Sequence, residues 1–154
     1  MQQNPIAIIQ ALIDDGPADG HPPPPYVEGL NMQALVFKAV EKGKFTLEWT
    51  PEMRHCQYDG IVQGGVVNVV ADTGQTFAFW STAEGEESYA TAEFSTRFFR
   101  PIKAGETIVV ESNVLNRSKR LGVIESTFVH AETGKLHAKV TGSWMLAKRD
   151  FGEG

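Results

Sequence analysis

The chain of 154 residues contains a single cysteine, Cys56. No internal disulfide is open to it, so packing must hold the fold, and a reducing cytoplasmic setting is expected. Basic excess is missing as well: 14 Lys and Arg stand against 19 Asp and Glu, a formal net charge of −5. That balance supplies no basic stripe for nucleic acid. Long apolar runs are also lacking. The opening MQQNPIAIIQALIDDG has no Lys or Arg before its apolar stretch and Asp14 and Asp15 after it. It makes a poor secretory leader and falls well short of the roughly 20 apolar residues a membrane span needs. No membrane association is expected. The histidines, His21, His55, His130 and His137, are scattered without a metal-ligand spacing to Cys or carboxylates, so neither a metal nor a separate cofactor is expected.

What is present is ordinary for a globular domain: 42% hydrophobic and 21% charged residues, on a chain long enough to bury a core. PIAIIQALIDDG reads as a short amphipathic helix, with Pro5 at its first position and Gly16 at its end. GPADGHPPPPYVEG follows as a stiff proline-rich linker without regular structure. Residues 1–25 are therefore read as an appendage laid against a main domain of residues 26–154. MQALVFKAVEKGKFTLEWTP spells a β-hairpin turning at Gly43, and EMRHCQYDG is a loop. YDGIVQGGVVNVVADTGQTFAFW, Tyr58 to Trp80, reads as a core helix. After the polar turn AEGEES come four strand-like runs, YATAEFSTRFFRP, ETIVVESNVLNR, GVIESTFVHAE and KLHAKVTGSWMLAK, each alternating in hydrophobicity. One helix serves such a sheet only if the sheet wraps it. The fold class is α+β, a curved antiparallel sheet around one long buried helix.

Asp72 is the anomaly, a carboxylate among Val, Ala and Phe. Burying it ionised and unpaired costs several kcal/mol, so it must be paired, protonated or open to a cavity. At helical spacing Asn68, Asp72, Gln75, Thr76 and Phe79 share a stripe. That stripe fits a hydrated face or subunit contact, and equally an active-site wall. Gly64 and Gly65 at the helix start offer unpaired N–H groups with no Cβ in the way, an arrangement suited to a carbonyl oxygen gaining negative charge; it also fits a tight entry beside a sheet. Asp72 lies eight residues beyond Gly64, about 12 Å along a helix. Groups acting on one carbonyl must converge within about 3 Å. If the two cooperate, they come from different subunits with antiparallel helices.

Three segments carry a family resemblance: QYDGIVQGGVVNVVADTGQT, YATAEFSTRFFRPIKAGE and NRSKRLGVIESTFVHAETGKLHAKVTGSWML. Across residues 30–147 the chain resembles the hotdog-fold acyl-CoA thioesterases, in the branch of the phenylacetyl-CoA and 4-hydroxybenzoyl-CoA enzymes. The resemblance implies a homodimer or dimer of dimers that hydrolyses an acyl-CoA substrate. By position, Gly64 matches the N–H that polarises the thioester carbonyl and Asp72 the catalytic carboxylate. Gln57 matches an amide that holds the reacting centre, and Thr76 a hydroxyl that orients water. Gln63, Gly65 and Asn68 fall beside them, and Thr91 matches a Ser or Thr near the site. Arg100, Arg117, Ser118, Lys119 and Arg120 fall where coenzyme A phosphates are met. Many members have His at the position of Gln63, and Gln does not titrate near neutrality.

Two other functions fit the same fold, a dehydratase or hydratase on hydroxyacyl thioesters and a non-catalytic acyl-CoA-binding module. Gln63 argues against the former, since such enzymes pair His with a carboxylate. Cys56 beside His55 makes no nucleophile–base pair, because neighbours in extended chain point to opposite faces. His130 and His137 face each other across the AETGK turn as a sheet-surface pair. Trp49, Trp80 and Trp144 are read as packing residues.

Overall fold

The computed structural model describes residues 4–18, 22–85 and 87–148. His21, Glu86 of the AEGEES turn and residues 149–154 lie outside them. Helix α1 (Pro5–Asp15) is capped by Asn4, whose Oδ1 accepts from the Ile6 N–H at 3.1 Å, and ends at Gly16. Its Ile9 is fully buried, and Ile6 and Ile13 pack against the same core as the sheet. The linker is less irregular than expected. Its last residues form one helical turn, α2 (Pro25–Gly29), because proline at a first helical position has the right φ and needs no N–H partner.

Strands β1 (Val36–Glu41) and β2 (Lys44–Trp49) form the hairpin, with Gly43 at φ 79°. Helix α3 (Gly64–Trp80) is shorter than its sequence suggested. Residues 58–63 stay outside it because Gly60 turns the chain at φ 77° and Ile61 and Val62 make bridges to Lys103 and Cys56. The four remaining runs become β3 (Glu87–Phe98), β4 (Ile108–Arg117), β5 (Leu121–His130) and β6 (Leu136–Lys148).

All pairings are antiparallel, in the order β1-β2-β4-β5-β6-β3. The sheet wraps α3, which is the hotdog fold. Phe45, Leu47, Ile108, Val110, Ile124, Phe128 and Val140 meet Val67, Val70, Ala71 and Phe79 of the helix in the core. Each buried Val, Leu, Ile or Phe among them contributes roughly 1.5–3 kcal/mol. α1 packs beside the edge strand β1, whereas β3, the opposite edge, has twelve residues and is exposed over much of its length.

A polar network runs through this core. Gln75, with no exposed surface, donates to Ser126 Oγ (3.2 Å) and Val140 O (3.1 Å) and accepts from Trp144 Nε1 (2.9 Å). Ser126 in turn meets Ser112 at 2.7 Å. Helix and sheet come close enough for these bonds because β6 has a glycine there: a Cβ on Gly142 would sit 2.0 Å from Gln75 Oε1. Gln75 and Phe79 therefore face the sheet and leave the polar stripe read from the sequence. Full satisfaction by hydrogen bonds is what permits an amide at that depth.

Candidate active site

Asp72 sits half-buried in the middle of α3, and its Oδ1 accepts a hydrogen bond of 2.6 Å from Thr91 Oγ1 on β3. Four residues earlier on the helix, Asn68 Oδ1 accepts from Thr96 Oγ1 at 2.5 Å. Thr91 and Thr96 are five apart, an odd spacing that puts side chains on opposite faces of a regular strand. A register shift between Thr91 and Glu93 inserts one extra residue, Ala92. The bulge returns both hydroxyls to the face that meets α3. Sequence placed Thr91 near the site but gave no sign of Thr96, since a bulge leaves no mark in an alternating pattern.

Thr76, one turn beyond Asp72, donates to the Asp72 backbone carbonyl at 2.8 Å. Its proton is thus occupied and its lone pairs are free to accept from a water. Asp72 and Thr76 open onto a cavity of about 710 Å³ with Phe77, Phe37, Leu35 and Tyr26 among its walls. This is a carboxylate at the edge of a largely apolar chamber.

Gly64 and Gly65 lie at the other end of the same helical stretch. Gln63 is the N-cap residue in extended conformation (φ −63°, ψ 129°), makes no side-chain cap, and gives its N–H to His55 O at 3.0 Å. The Gly64 N–H has no acceptor among the described residues. Arg100, Phe98 and Phe99 line a second hollow with Gly64, of about 410 Å³. Gln57 is exposed in the loop before α3, its N–H bonded to Ile61 O at 2.9 Å. Within one chain, then, Asp72, Thr76, Asn68 and Thr91 gather at one place, and Gly64, Gly65, Gln63 and Arg100 at another.

The basic run forms the β4–β5 turn, beyond the C-terminal end of α3. Ser118 Oγ accepts from Leu121 N at 3.1 Å and shapes the turn. Lys119 and Arg120 are exposed. Arg117 is different from the sequence expectation. Its guanidinium pairs with Glu87, donates to Thr82 Oγ1 at 2.5 Å and lies 4.8 Å over the Phe79 ring. A charge matched in this way serves the fold, in contrast to the phosphate contact expected of Arg117. Burial pushes the neighbouring Tyr89 phenol up to about 12; Arg117 opposes this and Glu87 adds to it.

His55 is buried, with Nδ1 accepting from Glu52 N (2.9 Å) and Nε2 facing Leu30 O (2.7 Å). Those contacts hold it as a structural imidazole. His130 and His137 stack at 5.9 Å across their turn. Among the described residues no group of three or more His, Cys, Asp or Glu is placed to hold a metal ion, and no helix is long and apolar enough to cross a membrane.

The thioesterase superfamily sequence profile matches residues 59–137, just over half of the chain, from the loop before α3 into β6. The chain belongs to the thioesterase superfamily. Within it, this member is 29% identical over 126 residues to a protein of Saccharolobus solfataricus named provisionally as an esterase, spanning 82% of each chain. A Streptococcus mutans protein solved bound to acetyl-CoA superposes with a TM-score of 0.69 at 18% identity, over 74% of this chain and 89% of that one. The Escherichia coli PaaI protein of the phenylacetic acid degradation operon gives 0.67 at 21% identity, over 77% and 86%. These structural likenesses agree with the hotdog fold.

Proposed function

We propose that this thioesterase-superfamily chain hydrolyses acyl-CoA thioesters to a free acid and CoA, at a site shared between two copies. The observation that carries the proposal is Asp72, held by Thr91 at the edge of an apolar cavity on a helix whose first N–H is free. The Gly64 N–H of one copy polarises the thioester carbonyl, and Asp72 of the other attacks it or takes a proton from the attacking water. When Asp72 takes the proton, the water oxygen bonds the acyl carbon, the C–S bond breaks and the thiolate takes that proton to leave as CoA thiol. When Asp72 attacks, the C–S bond breaks as an acyl–Asp72 anhydride forms, and CoA leaves as a thiol after protonation. Water then cleaves the anhydride to release the acid and restore the carboxylate. Thr76 accepts a hydrogen bond from that water, and Gln57 and Gln63 border the carbonyl.

Two features support a shared site. The separation of about 12 Å between Gly64 and Asp72 along one helix is too long for a common reacting atom. Strand β3 also leaves a long unpaired edge, the kind of surface that continues a sheet into a second copy. Pairing antiparallel helices about a two-fold axis brings one copy's Gly64 and Arg100 towards the other's Asp72 and its Lys119–Arg120 turn. CoA phosphates then meet Arg100, Lys119 and Arg120. Acetyl-CoA in the S. mutans relative is in keeping with such a ligand.

No described histidine lines either hollow, which favours hydrolysis over a dehydratase reaction. Asp72→Asn keeps the shape and the Thr91 contact but removes the carboxylate. Thiol release from acyl-CoA should fall by about 10²-fold or more while the melting temperature stays near that of the parent. Undiminished release would end the proposal.

A further inference from the structure

The cavity beside Asp72 has a wall that the hotdog core does not supply. One side is α3, with Thr73, Thr76 and Phe77; the opposite side is Leu12 of α1 and Tyr26 and Val27 of α2. Ile6, Ile9 and Ile13 of α1 pack into the main core, yet Leu12 does not belong to that cluster. It is nevertheless partly buried, and the cavity is what it faces. Tyr26 fastens this wall to the helix. Thr73 Oγ1 donates to Val69 O at 3.1 Å, so across the 3.2 Å contact between Tyr26 and Thr73 the phenol is the donor. The fastening point is the residue next to Asp72. From Asp72 to Phe77 the cavity follows α3 for about 7 Å.

We infer that α1 and α2 form the closed end of the acyl pocket, and that Leu12, Tyr26 and Val27 select extended alkyl acyl groups. This rests on Asp72 being the reacting group proposed above. Size decides the class. A cavity of about 150 Å³ suffices for a benzene ring, and the space here is about 710 Å³. A single aryl group leaves most of it empty; an alkyl chain running along α3 fills it. The apolar lining from Leu12, Val27, Leu35, Phe37 and Phe77 offers such a chain contact along its length.

The test uses the full chain and S-alkyl-CoA thioethers of increasing alkyl length, which bind without reacting. Calorimetric affinity should rise by about fourfold for each methylene until the pocket is full and then level off. Leu12→Trp should move that plateau to shorter chains by two or more carbons, and Leu12→Ala to longer ones. The acyl-length profile of kcat/KM should shift in the same directions. Should the tryptophan variant fail to fold, the alanine variant decides alone. A plateau at the same length in parent and variants overturns the assignment. So does tighter binding of S-phenethyl-CoA than of any alkyl analogue. If the plateau moves but no acyl-CoA yields thiol, the pocket stands and the hydrolase reading fails. If thiol appears and the plateau is fixed, only the pocket is wrong.

Discussion

Two inactive variants should restore each other if the site is shared. Asp72→Asn removes the carboxylate. Gly64→Pro removes the backbone N–H, and the helix tolerates it: Gly64 is the first helical position, where proline is accepted. The preceding Gln63, at φ −63° and ψ 129°, already has the extended conformation proline demands of its neighbour. Phe98 is the near contact, with its Cζ 3.2 Å from a Cβ at Gly64; its ring is half exposed and free to move a few tenths of an ångström. Losing one donor to a developing oxyanion costs about 10²–10³ in kcat, so each parent should retain about 1% or less. Co-folding the two chains in equal amounts gives about half heterodimers, each with one intact and one doubly broken site. Thiol release from an acyl-CoA should recover to about 25% of the unmodified protein. If both groups acted from one chain, neither variant would own a complete set and the mixture would stay at the parents' level. That result would refute the shared site.

Gln75→Leu keeps the volume but strands the buried Trp144 N–H and removes a second donor to the Val140 carbonyl and to Ser126. A loss of about 2–4 kcal/mol should appear as a lower urea midpoint, and an unchanged midpoint would mean the network is dispensable. Tyr89, pushed up to about 12, stays neutral in the fold where an unfolded tyrosine ionises near 10. Its contribution is complete below pH 10 and lost as pH rises towards 12. Discounted for partial exposure, this amounts to about 1–2 kcal/mol, and Tyr89→Phe should flatten that part of the alkaline unfolding curve. Lys119→Ala and Arg120→Ala should each raise KM for acyl-CoA about fivefold at low salt with kcat little changed, an effect that shrinks as salt screens the phosphates. Arg117→Ala should instead lower the melting temperature, because its partners are Glu87, Thr82 and Phe79.

Period and punctuation made the elements readable. The hairpin at Gly43, the helix ending at Trp80 and the four final strands each follow from side-chain alternation or helical spacing broken by Gly and polar turns. Asp72 was legible for another reason: a charge within an apolar helix demands an explanation wherever it appears. The start of α3 is hidden in the sequence because Ile61 and Val62 continue the apolar run while making strand-like bridges. Gln75 faces the sheet although its polarity alone points to the open stripe. An amide is polar on a helical wheel whether it meets water or a ring of buried partners. The pairing of Arg117 is hidden in the same way, since a basic run does not say which of its charges already has a carboxylate beside it.

One helix carrying a carboxylate and wrapped by an antiparallel sheet can be read from the residues alone, because hydrophobic period is local and survives any context. Which groups meet Asp72 is settled by packing in three dimensions. The bulge at Ala92 turns Thr91 and Thr96 to one face, and the N-terminal helices line a cavity that their composition never announced. Those relations join residues 19 to 60 positions apart, and contacts over such distances depend on how surfaces pack rather than on any pattern along the chain.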